Sequence, residues 1–203
     1  EVQADARLLL PADLWPQESQ QFIAMIQESL SDSAPFKVMP ASELLRSLGC
    51  LNLTKSIYEA IACGLEDRAI CIEPDTRFGG KLPNDQSMIV LFSRTVQDQE
   101  KPSLQNVSSG SLAIQLASAA AMADGTFDIH EQDVLLKHLN SWLHLSKADH
   151  DRLKAKLELF MVESPKLTGL QRKLDTLDPL TKSTIGDFMV QIVKADGTVS
   201  PVE

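Results

Sequence analysis

Ala123-Asp124-Gly125-Thr126-Phe127-Asp128-Ile129-His130-Glu131 reads as the end of one helix, a tight turn and the start of the next. A second copy stands near the C-terminus, Ala195-Asp196-Gly197-Thr198-Val199-Ser200-Pro201-Val202-Glu203. Asp124 and Asp196 are 72 positions apart, and the two copies share Ala-Asp-Gly-Thr and the Glu that closes them. Each follows an apolar segment at helical spacing. Before the first come Leu112, Leu116, Ala119, Ala120 and Ala123; before the second come Ile185, Phe188, Met189, Ile192 and Val193. Two helix–turn–helix elbows of this kind predict a helical bundle over residues 110–203.

Each elbow has two physical readings. In the first, Gly125 and Gly197 take the left-handed conformation that ends a helix. Asp128 and Ser200 then cap the next helix, and Glu131 and Glu203 reach back to the cap amide in a capping box. This accounts for everything seen in a single copy. In the second, Asp124, Asp128 and Glu131, with Asp196 and Glu203 from the other copy, offer hard oxygen ligands to a divalent cation, Ca²⁺ or Mg²⁺. The spacing is not that of an EF-hand loop. Ser200 replaces Asp128 in the second copy, which makes that copy the weaker candidate. If the elbows face each other, five carboxylates crowd together, and their repulsion favours a bound cation.

Composition narrows the class. A length of 203 residues is enough for one large domain or two small ones. Few aromatics and abundant Leu and Ala favour helices. The net charge of −9 argues against nucleic acid and anionic membrane surfaces as partners. Cys50, Cys63 and Cys71 show no pairing motif, which fits small buried hydrophobes in a reducing, cytoplasmic setting. No apolar run reaches the length of a membrane span, and no signal peptide is supported. The last residue falls where a helix should be starting, so the chain is expected to be a piece of a longer protein, truncated after the second elbow.

Residues 1–94 are expected to form a helical lobe with one small antiparallel strand pair. Residues 1–14 read as an entry segment. Beyond Pro16, a helix carries Phe22, Ile23, Met25, Ile26 and Leu30 as its apolar stripe. A short helix follows near 41–48. Thr54 caps another, with Ile57, Tyr58 and Ile61 inward and Gly64 as its stop. Residues 69–73 and 88–92 read as two strands, joined by the turn-rich Pro74-Asp75-Thr76-Arg77-Phe78-Gly79-Gly80. Gly79-Gly80 lacks the following Lys-Ser or Lys-Thr of a phosphate loop. Arg77 reads as a solvated charge, with Asp75 and Glu73 as available partners. Residues 95–109 read as a linker, and the next helix starts at Ser111. After the first elbow a helix carries Val134, Leu135, Leu139, Trp142 and Leu143. Ser146 and Asp149 then form a capping box for another, and Asp178-Pro179 opens the last.

Catalytic constellations are missing. His130, His138, His144 and His150 share one region, but their spacing does not stack two of them as zinc ligands, and they read as solvated or capping side chains. No nucleophile elbow, Walker loop or dinucleotide fingerprint is present. No catalytic and no organic-cofactor residues are expected, and the chain reads as a non-enzyme.

The paired elbows, Ala121-Met122-Ala123-Asp124-Gly125 through Glu131 and Val193-Lys194-Ala195-Asp196-Gly197 through Glu203, resemble the tellurite-resistance TerB-like domain family. The stretch from Ile72 to Gly80, with Val90-Leu91-Phe92 after it, is similar to segments that precede this domain in large multidomain TerB-type proteins. The resemblance implies an all-helical bundle that binds divalent metal through acidic positions, here Asp124, Glu131, Asp196 and Glu203. It implies a role in stress resistance through sensing or scaffolding rather than catalysis. Expected partners are other protein domains, including domains of the same longer chain, or a second copy. The alternative is a purely structural interaction domain whose acids only cap helices.

Overall fold

The computed structural model describes residues 2–31, 33–94, 101–121, 129–141, 145–163, 170–175, 177 and 179–193, some of them by backbone alone. The chain is mainly helical and divides into two compact units, Glu1–Leu104 and Gln105–Glu203.

In the first unit, α1 (Val2–Arg7) leads through a short 3₁₀ turn to α2 (Gln17–Ser29). Ser19, Ile23 and Ile26 of α2 are buried, whereas Met25, expected in the same stripe, is 62% exposed. Two residues along a helix turn through about 200°, so Met25 cannot share the face of Ile23. The entry segment is part of the core. Leu8, Ala12 and Trp15 are buried, and Trp15 Nε1 donates to the Leu10 carbonyl at 2.9 Å.

Asp5 ties the start of the chain to a distant loop. Its carboxylate accepts from the Leu51 amide at 2.7 Å and from the Asn52 amide and Nδ2 at 3.2 Å. The Leu51 hydrogen bond, helped by those from Asn52 and opposed by burial, holds the carboxyl below its ordinary 3.8. A depressed folded-state value stabilises the fold above the unfolded pKa, and that contribution is lost as pH falls through the folded value. Asp5→Asn is therefore expected to lower the melting temperature at pH 6. The gap between parent and variant should close as the pH drops below about 3.8. A gap that stays constant from pH 6 to pH 3 would show that the ionised form contributes nothing.

α3 (Ala41–Ser47) buries Leu44 and Leu45, and α4 (Lys55–Glu66) buries Ile57, Tyr58, Ile61, Ala62, Gly64 and Leu65. Thr54 caps α4, its hydroxyl accepting from the Ile57 amide at 3.3 Å. Gly64 is not the stop expected from the sequence. α4 runs past it to Glu66, and the left-handed residue after the helix is Ala69, at φ 58°. Ala69 was expected in a strand, but the strand starts one residue later. A Cβ in the left-handed region costs roughly 1–2 kcal/mol. Ala69→Gly is thus expected to raise stability by about 0.5–1 kcal/mol in urea unfolding, after allowing for the entropy of the unfolded glycine. No gain would show that the surroundings already relieve the strain.

Among the described residues, the sheet has three antiparallel strands rather than the expected pair. They are β1 (Phe36–Pro40), β2 (Ile70–Glu73) and β3 (Met88–Ser93), in the order β1-β3-β2. β3 pairs on both sides, Val38 opposite Val90 and Ile72 opposite Leu91. Pro40 closes β1 and abuts α3; an edge strand tolerates its missing donor. Ile70, Ile72, Ile89 and Leu91 pack into one core with Ile26, Leu44, Leu48, Ile61 and Leu65. Each such side chain contributes about 1.5–3 kcal/mol when fully buried.

In the second unit, α5 (Leu104–Ala121) begins seven residues before Ser111, so residues 104–109 are helix and not linker. Polar Gln105, Asn106, Ser108 and Ser109 hide the helix in the sequence, but Val107 is fully buried. α6 (Ile129–Ser141), α7 (Lys147–Val162), α8 (Leu170–Asp175) and α9 (Pro179–Val193) follow. Their core joins Ala113, Ile114 and Ala117 to Leu135, Leu139, Leu153, Leu157 and Ile185. The expected capping box opens α7: Ser146 Oγ accepts from the Asp149 amide, and Asp149 Oδ2 from the Ser146 amide, both at 3.1 Å. Among the described residues, no helix is long and apolar enough to cross a membrane.

Candidate functional site

Asp124, Asp128, Asp196 and Glu203 lie outside the described residues, as does the side chain of Glu131. The approach of the two elbows to each other, expected from their likeness, lies outside them too. One element of the first elbow is described. The first described residue after the turn, Ile129, is already helical, in α6 (Ile129–Ser141). In the sequence, Asp128 and Glu131 keep the spacing a capping box requires. Among the described residues, no group of three or more His, Cys, Asp or Glu side chains could hold a metal. Of the histidines, His150 places Nε2 2.9 Å from the Leu139 carbonyl, a contact between α7 and α6.

The densest described set of charges is in the first unit, where β2 ends and the chain turns. Asp75 and Glu73 are fully buried, which the sequence alone does not announce. Asp75 Oδ1 accepts from the Arg77 amide at 2.9 Å, an Asx turn that starts a single 3₁₀ turn over Thr76–Phe78. Gly79 ends that turn at φ 80°. Gly80 then passes so close to Asp75 that a Cβ there would lie 2.6 Å from the Asp75 amide nitrogen.

Arg77 is not a solvated charge, as expected from the sequence, but the centre of a clamp. Its Nε and Nη2 donate to Asp75 at 3.0 and 2.7 Å, and its Nη1 and Nη2 donate to Glu66 at 3.0 and 2.7 Å. Nη1 also lies 3.2 Å from the Cys63 thiol. Burial by itself would lower the Arg77 pKa, but the hydrogen bonds and charges of Asp75 and Glu66 outweigh it and raise it. All five guanidinium N–H groups therefore have an acceptor. A fully engaged fork has no donor left for an incoming phosphate or carboxylate. The clamp thus fixes the loop between β2 and β3 onto α4. Thr76 adds a second tie, its hydroxyl donating to Glu59 at 3.0 Å.

The second unit carries polar groups between α5 and α7. Asp149 and Arg152 are each 1% exposed and Lys156 is 8% exposed. Asn106 Nδ2 donates to Asp149 at 3.0 Å, and Lys156 Nζ donates to Ser111 at 3.1 Å. Between these contacts, Gly110 admits the Leu153 side chain, which would lie 2.6 Å from a Cβ at that position. Sequence periodicity missed this seam, because Arg and Lys on a helix read as its wet face.

The family model described as "Tellurite resistance protein TerB" matches residues 111–203, the stretch that holds both elbows. Neither a curated protein nor a solved structure matches the chain. Over residues 111–203, the chain carries a TerB-family domain.

Proposed function

We propose that residues 111–203 act as a non-enzymatic, divalent-cation-binding interaction module of a tellurite-type stress-resistance system. The observation that carries this reading is the duplicated acidic elbow inside the family-matched segment. Its donors are carboxylates, a hard oxygen set suited to Ca²⁺ or Mg²⁺ and unsuited to soft metals. The charge distribution points the same way. Residues 111–203 hold ten Lys and Arg against thirteen Asp and Glu, and five of those acids are Asp124, Asp128, Glu131, Asp196 and Glu203. Without them the segment would be weakly basic, so its negative charge is concentrated where a cation would bind. Its partners are other protein domains, and its setting is the cytoplasm.

One observation favours the rival reading, a structural module whose acids only cap. Asp128 and Glu131, like Ser200 and Glu203, stand three residues apart, the spacing of a capping box. Calorimetric titration and thermal melts with Ca²⁺ and Mg²⁺ separate the two. Metal binding predicts a heat signal and a higher melting temperature, both abolished by Asp124→Ala or Glu131→Ala. Asp128→Asn is the sharper test, because Asn caps a helix about as well as Asp. Under the metal reading it leaves the metal-free melt almost unchanged and removes most of the gain. If millimolar Ca²⁺ and Mg²⁺ change neither heat nor melting temperature, the acids only cap. Each cap is then worth about 0.5–2 kcal/mol.

A further inference from the structure

We draw no further inference here: the strongest candidate, the exposed Cys63 thiol on α4 at the rim of the Arg77 clamp, is a lone cysteine beside which nothing in the structure points to a ligand.

Discussion

Arg77→Met is expected to lower the unfolding free energy of the N-terminal unit by about 3 kcal/mol. The substitution keeps much of the side-chain volume and removes the guanidinium. Asp75, with no exposed surface, then carries a negative charge without its cation. Breaking a buried pair by removing one partner costs about 3–5 kcal/mol. The lower end applies here for two reasons. Glu66 is 24% exposed and can regain water, and Asp75 keeps the Arg77 amide as a donor. Arg77→Lys should recover less than half of the loss, because an ammonium restores the charge but not the planar fork that serves two carboxylates at once. Adding Asp75→Asn to Arg77→Met should recover part of it by removing the stranded charge. Urea unfolding followed by far-ultraviolet circular dichroism measures all three. A loss below about 1 kcal/mol for Arg77→Met would put the pair in the class of screened surface bridges.

Gly64→Val is the second large effect, about 2–3 kcal/mol of destabilisation. A Cβ at position 64 would lie 2.5 Å from Trp15 Cζ2, 2.6 Å from Cη2 and 3.3 Å from the Ala12 Cβ. The indole cannot swing aside cheaply. It is 2% exposed, and its nitrogen is tied to the Leu10 carbonyl. Forcing extra carbons into a packed site costs about 1–3 kcal/mol, and valine brings two methyls beyond the Cβ. Against this, replacing a glycine inside a helix gains at most about 1 kcal/mol. Gly64→Ala should therefore lose less, on the order of 1 kcal/mol. Pairing Gly64→Ala with Trp15→Phe, which removes the atoms in collision, should leave the alanine neutral or favourable. Equilibrium unfolding of the four proteins of that cycle tests the contact. The steric account fails if Gly64→Val costs less than about 0.5 kcal/mol.

These two residues also show where reading the sequence stops. Helices α2, α3, α4, α7 and α9 announce themselves through apolar spacing and caps, such as Thr54 before α4 and Ser146 with Asp149 before α7. Both features are local, and local features are what a sequence displays. Gly64 looks like a stop because glycine commonly ends helices, yet its reason is a ring 49 positions upstream. Arg77 looks solvated because nothing nearby shows that Asp75 will be buried or that Glu66, on α4, will face it. β1 is missed because Phe-Lys-Val-Met-Pro is short and ends in a residue that argues against strand; pairing with β3 decides it. The acidic elbows are the reverse case. Their duplication stands out in the sequence, and the matched family covers both.

The contacts between α5 and α7 set a limit on how the second unit can deform. Asn106 meets Asp149, Gly110 meets Leu153, and Ser111 meets Lys156, so the two helices run in the same direction and advance together. Packed helices in switching proteins can ratchet past each other by one turn, about 5.4 Å. Such a step here would bring a side chain other than Gly110 against Leu153 and would part Asn106 from Asp149 and Ser111 from Lys156 together. The pair behaves as an indexed joint rather than a sliding one.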